Sequence, residues 1–288
     1  MPDSDSSIYL DLEPTTARPS GPVVLLFIDS WGVAPLSDGN AFTGLNLNNL
    51  NKFLDNYPVA ILAASGTPGE RYQLLGAKGK LTALISEAGL KQRRLSESEA
   101  TPFLEAYFLN GRSDLMAGES REIVSSLAGN RQEDFEEAAQ VLVKKLIKAI
   151  KKGEDDFIVL SLSSLDLASE SGDLEKSKEI LKAFDLWLKK IVDTLFKYRG
   201  TLILTSAYGR AEALLNPSSG LVQTSITNNP VPFLIISQAH VGQTIGSDLL
   251  SEDLSLLSPS ADLRDLAPTV LTLLNIKIPG DFPGESLL

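Results

Sequence analysis

Val23-Val24-Leu25-Leu26-Phe27-Ile28-Asp29-Ser30-Trp31-Gly32 is the stretch that decides the fold of this 288-residue chain. Its first six residues are apolar without a break, which reads as a strand buried on both faces. Strands of that kind belong to parallel sheets with helices on both sides, and such sheets carry their chemistry in the loops at the strands' carboxyl ends. Asp29 stands at that point. Its carboxylate leaves the strand at a fixed position, suited either to a metal ligand or to capping the next turn, and the local pattern leaves both open.

Working outward, apolar runs at Val59–Ala63, Glu105–Leu109, Phe157–Leu162, Thr201–Thr205 and Pro232–Ile236 read as further strands. Helical patterns separate them at Leu45–Asn56, Lys80–Ala88, Glu133–Lys151 and Leu174–Tyr198, and a last helix spans about Asp262–Leu274. The third of these opens with Glu133, Asp134, Glu136 and Glu137 and closes on Lys148, Lys151 and Lys152, which complements the helix dipole. Trp187 reads as a core residue of the Leu174–Tyr198 helix. Strand and helix in alternation predict an α/β fold with a mostly parallel central sheet and helices on both faces. Residues 1–20 are polar, carry Pro14 and Pro19 and lack periodicity, so a flexible arm is expected before a single domain at 21–288.

Composition removes several function classes. A net charge of −11 argues against nucleic acid or an anionic membrane as partner. The basic cluster Lys78, Lys80, Lys91, Arg93 and Arg94 reads as a solvated face, with contact to an anion as the alternative. The longest apolar runs are too short to span a bilayer, and residues 1–14 do not read as a signal peptide. Zero cysteine excludes disulfides, and a cytoplasmic location is expected.

The chain holds one histidine, His240. Dinuclear Mn or Zn sites draw on imidazole or thiolate ligands, and this chain offers at most one. Ser206 and Ser225 have no histidine in their loops, which argues against serine-hydrolase chemistry. Gly76-Ala77-Lys78-Gly79-Lys80 misses the spacing of a phosphate-binding loop. Asp166 and Glu170 follow the Phe157–Leu162 run, where they serve either as ligands or as the solvated start of a helix.

In order along the chain, Asp29-Ser30-Trp31-Gly32, Gly39-Asn40-Ala41, Asn49-Leu50-Asn51-Lys52-Phe53-Leu54, Glu97-Ser98-Glu99, Ala106–Gly111, Asn229-Pro230-Val231-Pro232-Phe233, Asp265-Leu266-Ala267-Pro268-Thr269 and Gly284-Glu285-Ser286-Leu287 resemble the cofactor-independent phosphoglycerate mutases of the alkaline phosphatase superfamily. The resemblance runs from about Val23 to Leu288 and implies an alkaline-phosphatase-like fold. It also implies a site built on two Mn-type ions, a phosphorylated serine and a second domain, inserted after the second strand, that grips phosphoglycerate.

Several of those parts are replaced here. Asp29 and Asp166 match two metal-binding carboxylates, and the family's next histidine falls on Glu170. An Asp-His pair falls on Ala207 and Tyr208, and a further histidine on Ile226. The nucleophile loop has no counterpart in Gly66–Lys80, and barely fifteen residues stand where the inserted domain would be. The resemblance therefore implies a metal set of Asp29, Asp166 and Glu170 with no catalytic residue. No cofactor is expected beyond weak binding of a divalent cation (Mn, Mg or Ca).

Three functions follow as expectations. The first is a pseudoenzyme that binds a protein partner as scaffold or assembly subunit. The second is a metal-dependent mutase or phosphohydrolase with an altered site, and the third is a sensor of a phosphorylated metabolite.

Overall fold

A computed structural model describes residues 19–98, 100–125, 135–216, 218–245 and 253–288. The opening run forms β1 (Val23–Ile28), the strand that organises the sheet. It pairs in parallel with β5 (Phe157–Leu162), Val23 opposite Phe157, and with β6 (Thr201–Thr205), Val23 opposite Thr201. Outside β5 lie β3 (Gln92–Glu97) and β4 (Glu119–Val124), both parallel. Outside β6 come β7 (Val231–Ile236), β2 (Val59–Ala63) and the two-residue β8 (Ala261–Asp262). The order is β4-β3-β5-β1-β6-β7-β2-β8. β7 is antiparallel to both of its neighbours and alone runs against the rest.

Side chains alternate across a strand, so β1 feeds two cores. Val24, Leu26 and Ile28 pack with α1 (Asn48–Asn56), α5 (Phe135–Lys152) and α7 (Leu174–Lys197), through residues such as Phe53, Leu142, Leu146, Phe184 and Leu188. Val23, Leu25 and Phe27 pack against α2 (Pro68–Leu75), α3 (Lys80–Glu87) and α8 (Leu266–Leu273), through Tyr72, Leu75, Leu81, Ile85 and Val270. Helices thus cover both faces of a mostly parallel sheet, as expected. Trp187 lies in the first core, 5% exposed.

Several expectations need correction. Glu105–Leu109 is not a strand: α4 (Thr101–Phe103) continues as a π-helical turn over Leu104–Phe108. Leu104 and Phe108, four residues apart, are buried while Tyr107 is exposed, so the aromatic run follows a helical period. β3 and β4 are strands where none was expected, because polar and charged residues interrupt any apolar run in them. Arg93 binds Asp155 and Glu122 at 2.7 and 2.8 Å, and the buried Arg94 faces Glu119 at 2.9 Å. Two members of the supposed solvated basic face are thus internal ion-pair partners. Gly66–Lys80 holds a helix, α2, started by Thr67 and Glu70 in a reciprocal capping box with Pro68 just inside. Helix α1 begins at Asn48 rather than Leu45.

The expected arm at 1–20 lies outside the described residues as far as residue 18, and so do Glu99, Glu133 and Asp134. Of the expected helix charges, Glu136, Glu137, Lys151 and Lys152 stand in the first and last turns of α5. Among the described residues no helix is long and apolar enough to cross a membrane.

Phe27 touches Tyr72 and Phe108 edge-on, with ring centroids 5.9 and 6.0 Å apart, and is fully buried. Phe27→Ala is expected to cost about 3–5 kcal/mol of unfolding free energy. Leu186→Ala, at a side chain 58% exposed on α7, is expected to cost no more than about 0.5 kcal/mol. Urea denaturation of the two variants checks both values.

Candidate functional site

Because β5, β1 and β6 are parallel neighbours, their carboxyl ends lie side by side and the three following loops meet. Asp29 leaves β1 there, 4% exposed. Ser30 follows at φ +74, a left-handed conformation unusual for a residue with a side chain. The β6 loop holds it: the backbone N–H groups of Arg210 and Ala211 donate to the Ser30 carbonyl at 3.1 and 2.9 Å. From β5 the chain enters α6 (Ser164–Glu170), which places Asp166 in its first turn.

Each carboxylate oxygen of Asp29 and Asp166 meets a donor. The Tyr72 hydroxyl, brought in by α2, donates to Asp29 Oδ2, and the Ala207 N–H donates to Oδ1 at 3.0 Å. The Ser30 hydroxyl donates to Asp166 Oδ1, and the Tyr208 hydroxyl donates to Oδ2 at 3.0 Å. The guanidinium of Arg210, buried to 6% exposure, lies with Nε 3.4 Å from Asp166 Oδ1 and Nη1 3.7 Å from Glu170 Oε1. Glu170 sits at the rim, its side chain 63% exposed.

Burial sets the proton inventory. It pushes the Asp29 carboxyl up to about 7, the nearby charge of Asp166 adding to the effect, while the bonds from Tyr72 and Ala207 and the charge of Arg210 oppose it. Burial, followed by the neighbouring carboxylates, raises both Tyr72 and Tyr208 well above the ordinary phenol range. Both phenols therefore stay protonated and act as donors. A guanidinium beside Asp166 and a carboxyl at Asp29 that readily takes a proton reduce the negative charge of the buried pair.

A second layer fixes these loops. Glu212 accepts from Asn229 Nδ2 at 2.9 Å, from the Gly32 N–H at 3.2 Å and from the Thr227 hydroxyl. A Cβ at Gly32 or Gly209 would come within 2.3 Å of a Glu212 carboxylate oxygen, so this contact requires glycine at both positions. Buried Arg71 donates to the carbonyls of Gly66 and Thr227, each at 3.0 Å, and to Asn228 Oδ1 at 2.7 Å. A cleft of about 280 Å³ lies alongside, lined largely by apolar residues including Trp31, Val33, Phe42, Leu45 and Leu254.

Of the residues singled out in the sequence, Asp29, Asp166, Ala207 and Tyr208 come together, and Glu170 joins through Arg210. Ile226 packs against the second core, and His240 is bonded to Ser237 (Nδ1 to Oγ, 2.6 Å) just beyond β7. Sequence reasoning missed Tyr72, Arg71, Arg210 and Glu212. The Thr67-x-x-Glu70 capping signature marks the helix that delivers Tyr72 and Arg71, whereas nothing in the pattern marks Arg210 or Glu212.

The model of the Metalloenzyme superfamily matches residues 21–278. A 2,3-bisphosphoglycerate-independent phosphoglycerate mutase of Antithamnion sp. is 32% identical over 73% of this chain and 39% of its own length. A phosphoglycerate mutase of Leishmania mexicana, solved at low cobalt concentration, superposes with a TM-score of 0.58 at 23% identity, over 70% of this chain and 38% of that one. TAB5 alkaline phosphatase superposes with a TM-score of 0.54 at 10% identity, over 91% and 99% of the two chains. The fold is alkaline-phosphatase-like, and this chain spans about half or less of the mutases it matches.

These relatives imply use of a divalent metal, so they lend no support to the expectation of no cofactor. The donor set here does not suit such an ion. Its carboxylate oxygens already accept hydrogen bonds, a fixed cation lies among them, and its phenols are protonated. Among the described residues no three His, Asp or Glu side chains converge to hold a metal.

Asp29 gives the metal-free protein a pH signature. Its folded pKa of about 7 lies above the ordinary 3.8, so the folded state holds the proton more tightly. Its contribution to stability is full below about pH 4 and is lost as pH rises through 7, at up to about 1.4 kcal/mol per unit. Between pH 5 and pH 8 the wild type is expected to lose stability relative to Asp29→Asn. Urea midpoints measured across that range would run parallel if Asp29 ionised normally.

Proposed function

The chain belongs to the metalloenzyme superfamily, and from that premise we propose that it is a non-catalytic phosphoglycerate-mutase-like protein of the cytoplasm, a pseudoenzyme that works by binding a protein partner as scaffold or assembly subunit. One observation carries the reading. The oxygens of Asp29 and Asp166 that would hold a metal are engaged by Tyr72, Ala207, Ser30, Tyr208 and Arg210. Two-metal phosphoryl transfer needs cations on both the attacking and the leaving oxygen, and neither half of this cluster offers an open carboxylate for one.

The segment that leads from β2 into α2 agrees with this. Thr67, the hydroxyl residue at the start of that helix, is committed to its cap: its Oγ1 donates to Glu70 Oε2 at 2.9 Å and accepts from the Glu70 N–H at 3.3 Å. No imidazole is near to activate it. Residues 64–67 alone join β2 to α2, and residues 76–79 join α2 to α3. Neither connection leaves room for a substrate-gripping domain, and without one a phosphoglycerate has nothing to orient it.

A binding role draws support from the loops at the same end of the sheet. Leu36, after β1, and Leu221 and Val222, after β6, are 60%, 70% and 59% exposed. Apolar side chains held in water are a feature of interaction surfaces. The net charge of −11 directs the choice toward a protein and away from nucleic acid.

Assays of phosphoglycerate interconversion and of p-nitrophenyl phosphate hydrolysis, each with and without Mn²⁺, test the catalytic half of the proposal. No turnover above that of Asp29→Asn is expected. Metal-dependent turnover that the substitution abolishes would sink the reading and establish an enzyme with an altered site.

A further inference from the structure

We propose that Arg210 is the resident cation of this site: its guanidinium stands where a metalloenzyme would hold its divalent ion, so the carboxylate cluster is complete without metal and closed to it. The inference rests on the non-catalytic reading and adds the agent that replaces the metal.

Position is the first argument. Arg210 lies five residues beyond the end of β6, directly after Gly209, and its backbone N–H donates to the Ser30 carbonyl at 3.1 Å. Its guanidinium is carried to the ends of β1 and β5, where Asp29 and Asp166 stand. It bridges two of them, with Nε 3.4 Å from Asp166 Oδ1 and Nη1 3.7 Å from Glu170 Oε1.

The kind of contact is the second argument. Nε is buried without a hydrogen-bond partner, and its nearest acid lies beyond good hydrogen-bonding distance. The guanidinium is therefore held here by charge more than by directed bonds. Arginine suits that role because it stays ionised when buried and is less strongly hydrated than an ammonium group.

The surrounding donors are the third argument. Ser30 and Tyr208 take one oxygen each of Asp166, while Tyr72 and Ala207 do the same for Asp29. Hydroxyls and a backbone N–H meet the remaining lone pairs, as buried carboxylates require. With a single positive charge supplied from within the chain, the cluster needs no second cation.

Mn²⁺ uptake by the full chain tests this, read by loss of the free-ion electron paramagnetic resonance signal and by the thermal midpoint with and without chelator. Wild type is expected to take up no Mn²⁺ at millimolar concentration and to melt at the same temperature in chelator. Arg210→Gln is expected to melt lower, to regain stability with Mn²⁺ and to bind the ion at least about tenfold more tightly than wild type. Adding Asp166→Asn to that variant is expected to abolish the uptake.

A folded Arg210→Gln that ignores Mn²⁺, or a wild type that binds it through Asp166, overturns the proposal. The turnover assays decide the non-catalytic reading separately. Should Arg210→Gln fail to fold even with Mn²⁺, Arg210→Lys decides: a folded, Mn²⁺-silent lysine variant supports a replaceable point charge, and its failure to fold overturns one.

Discussion

A carboxylate at the end of a buried central strand has almost no access to water, and this site is arranged around that constraint. Asp29 cannot avoid its position, because β1 is flanked on both sides by parallel strands and both of its faces are packed. Leaving its charge uncompensated would cost several kcal/mol. The structure answers with a phenol from α2, a backbone N–H from the β6 loop and a proton affinity raised by burial. Asp166, less deeply placed, is met by a serine, a second phenol and a guanidinium. A divalent ion would solve the same electrostatic problem, which is why the fold can carry either solution without changing its sheet.

That equivalence explains how a chain can keep the architecture of a metalloenzyme while its donor set turns inward. The framework depends on β1 and its two cores, and the site reaches into the second of them through Tyr72 and Tyr208. Glu212, Gly32 and Gly209 then fix the loops above the sheet at close range. Sheet, loops and donors form three layers, with Tyr72 and Tyr208 belonging to both core and site.

The layers also differ in how far the sequence reveals them. β1, β2, β5 and β6 were legible to the residue, because uninterrupted apolar runs in a doubly covered sheet have few other readings. β3 and β4 were hidden, since Arg94 and Glu119 neutralise one another inside the protein and look hydrophilic one at a time. Glu105–Leu109 misled in the other direction, its aromatic residues suggesting a strand while their contacts follow a helix. Asp29 and Asp166 were legible because strand ends place them. Tyr72 and Arg210 were not, for their roles arise only when α2 and the β6 loop meet β1, and no local period encodes that meeting.

The reversed direction of β7 separates the chain's histidine from the site. His240 follows β7, and since that strand runs against the others, the chain's single imidazole ends at the opposite pole of the sheet from Asp29. It is held there by Ser237, close to where Gly242 bonds the end of α1 at Asn56. The imidazole is thus a bystander, and nitrogen donors could meet the two acids only from positions such as 72 or 208, where phenols now stand.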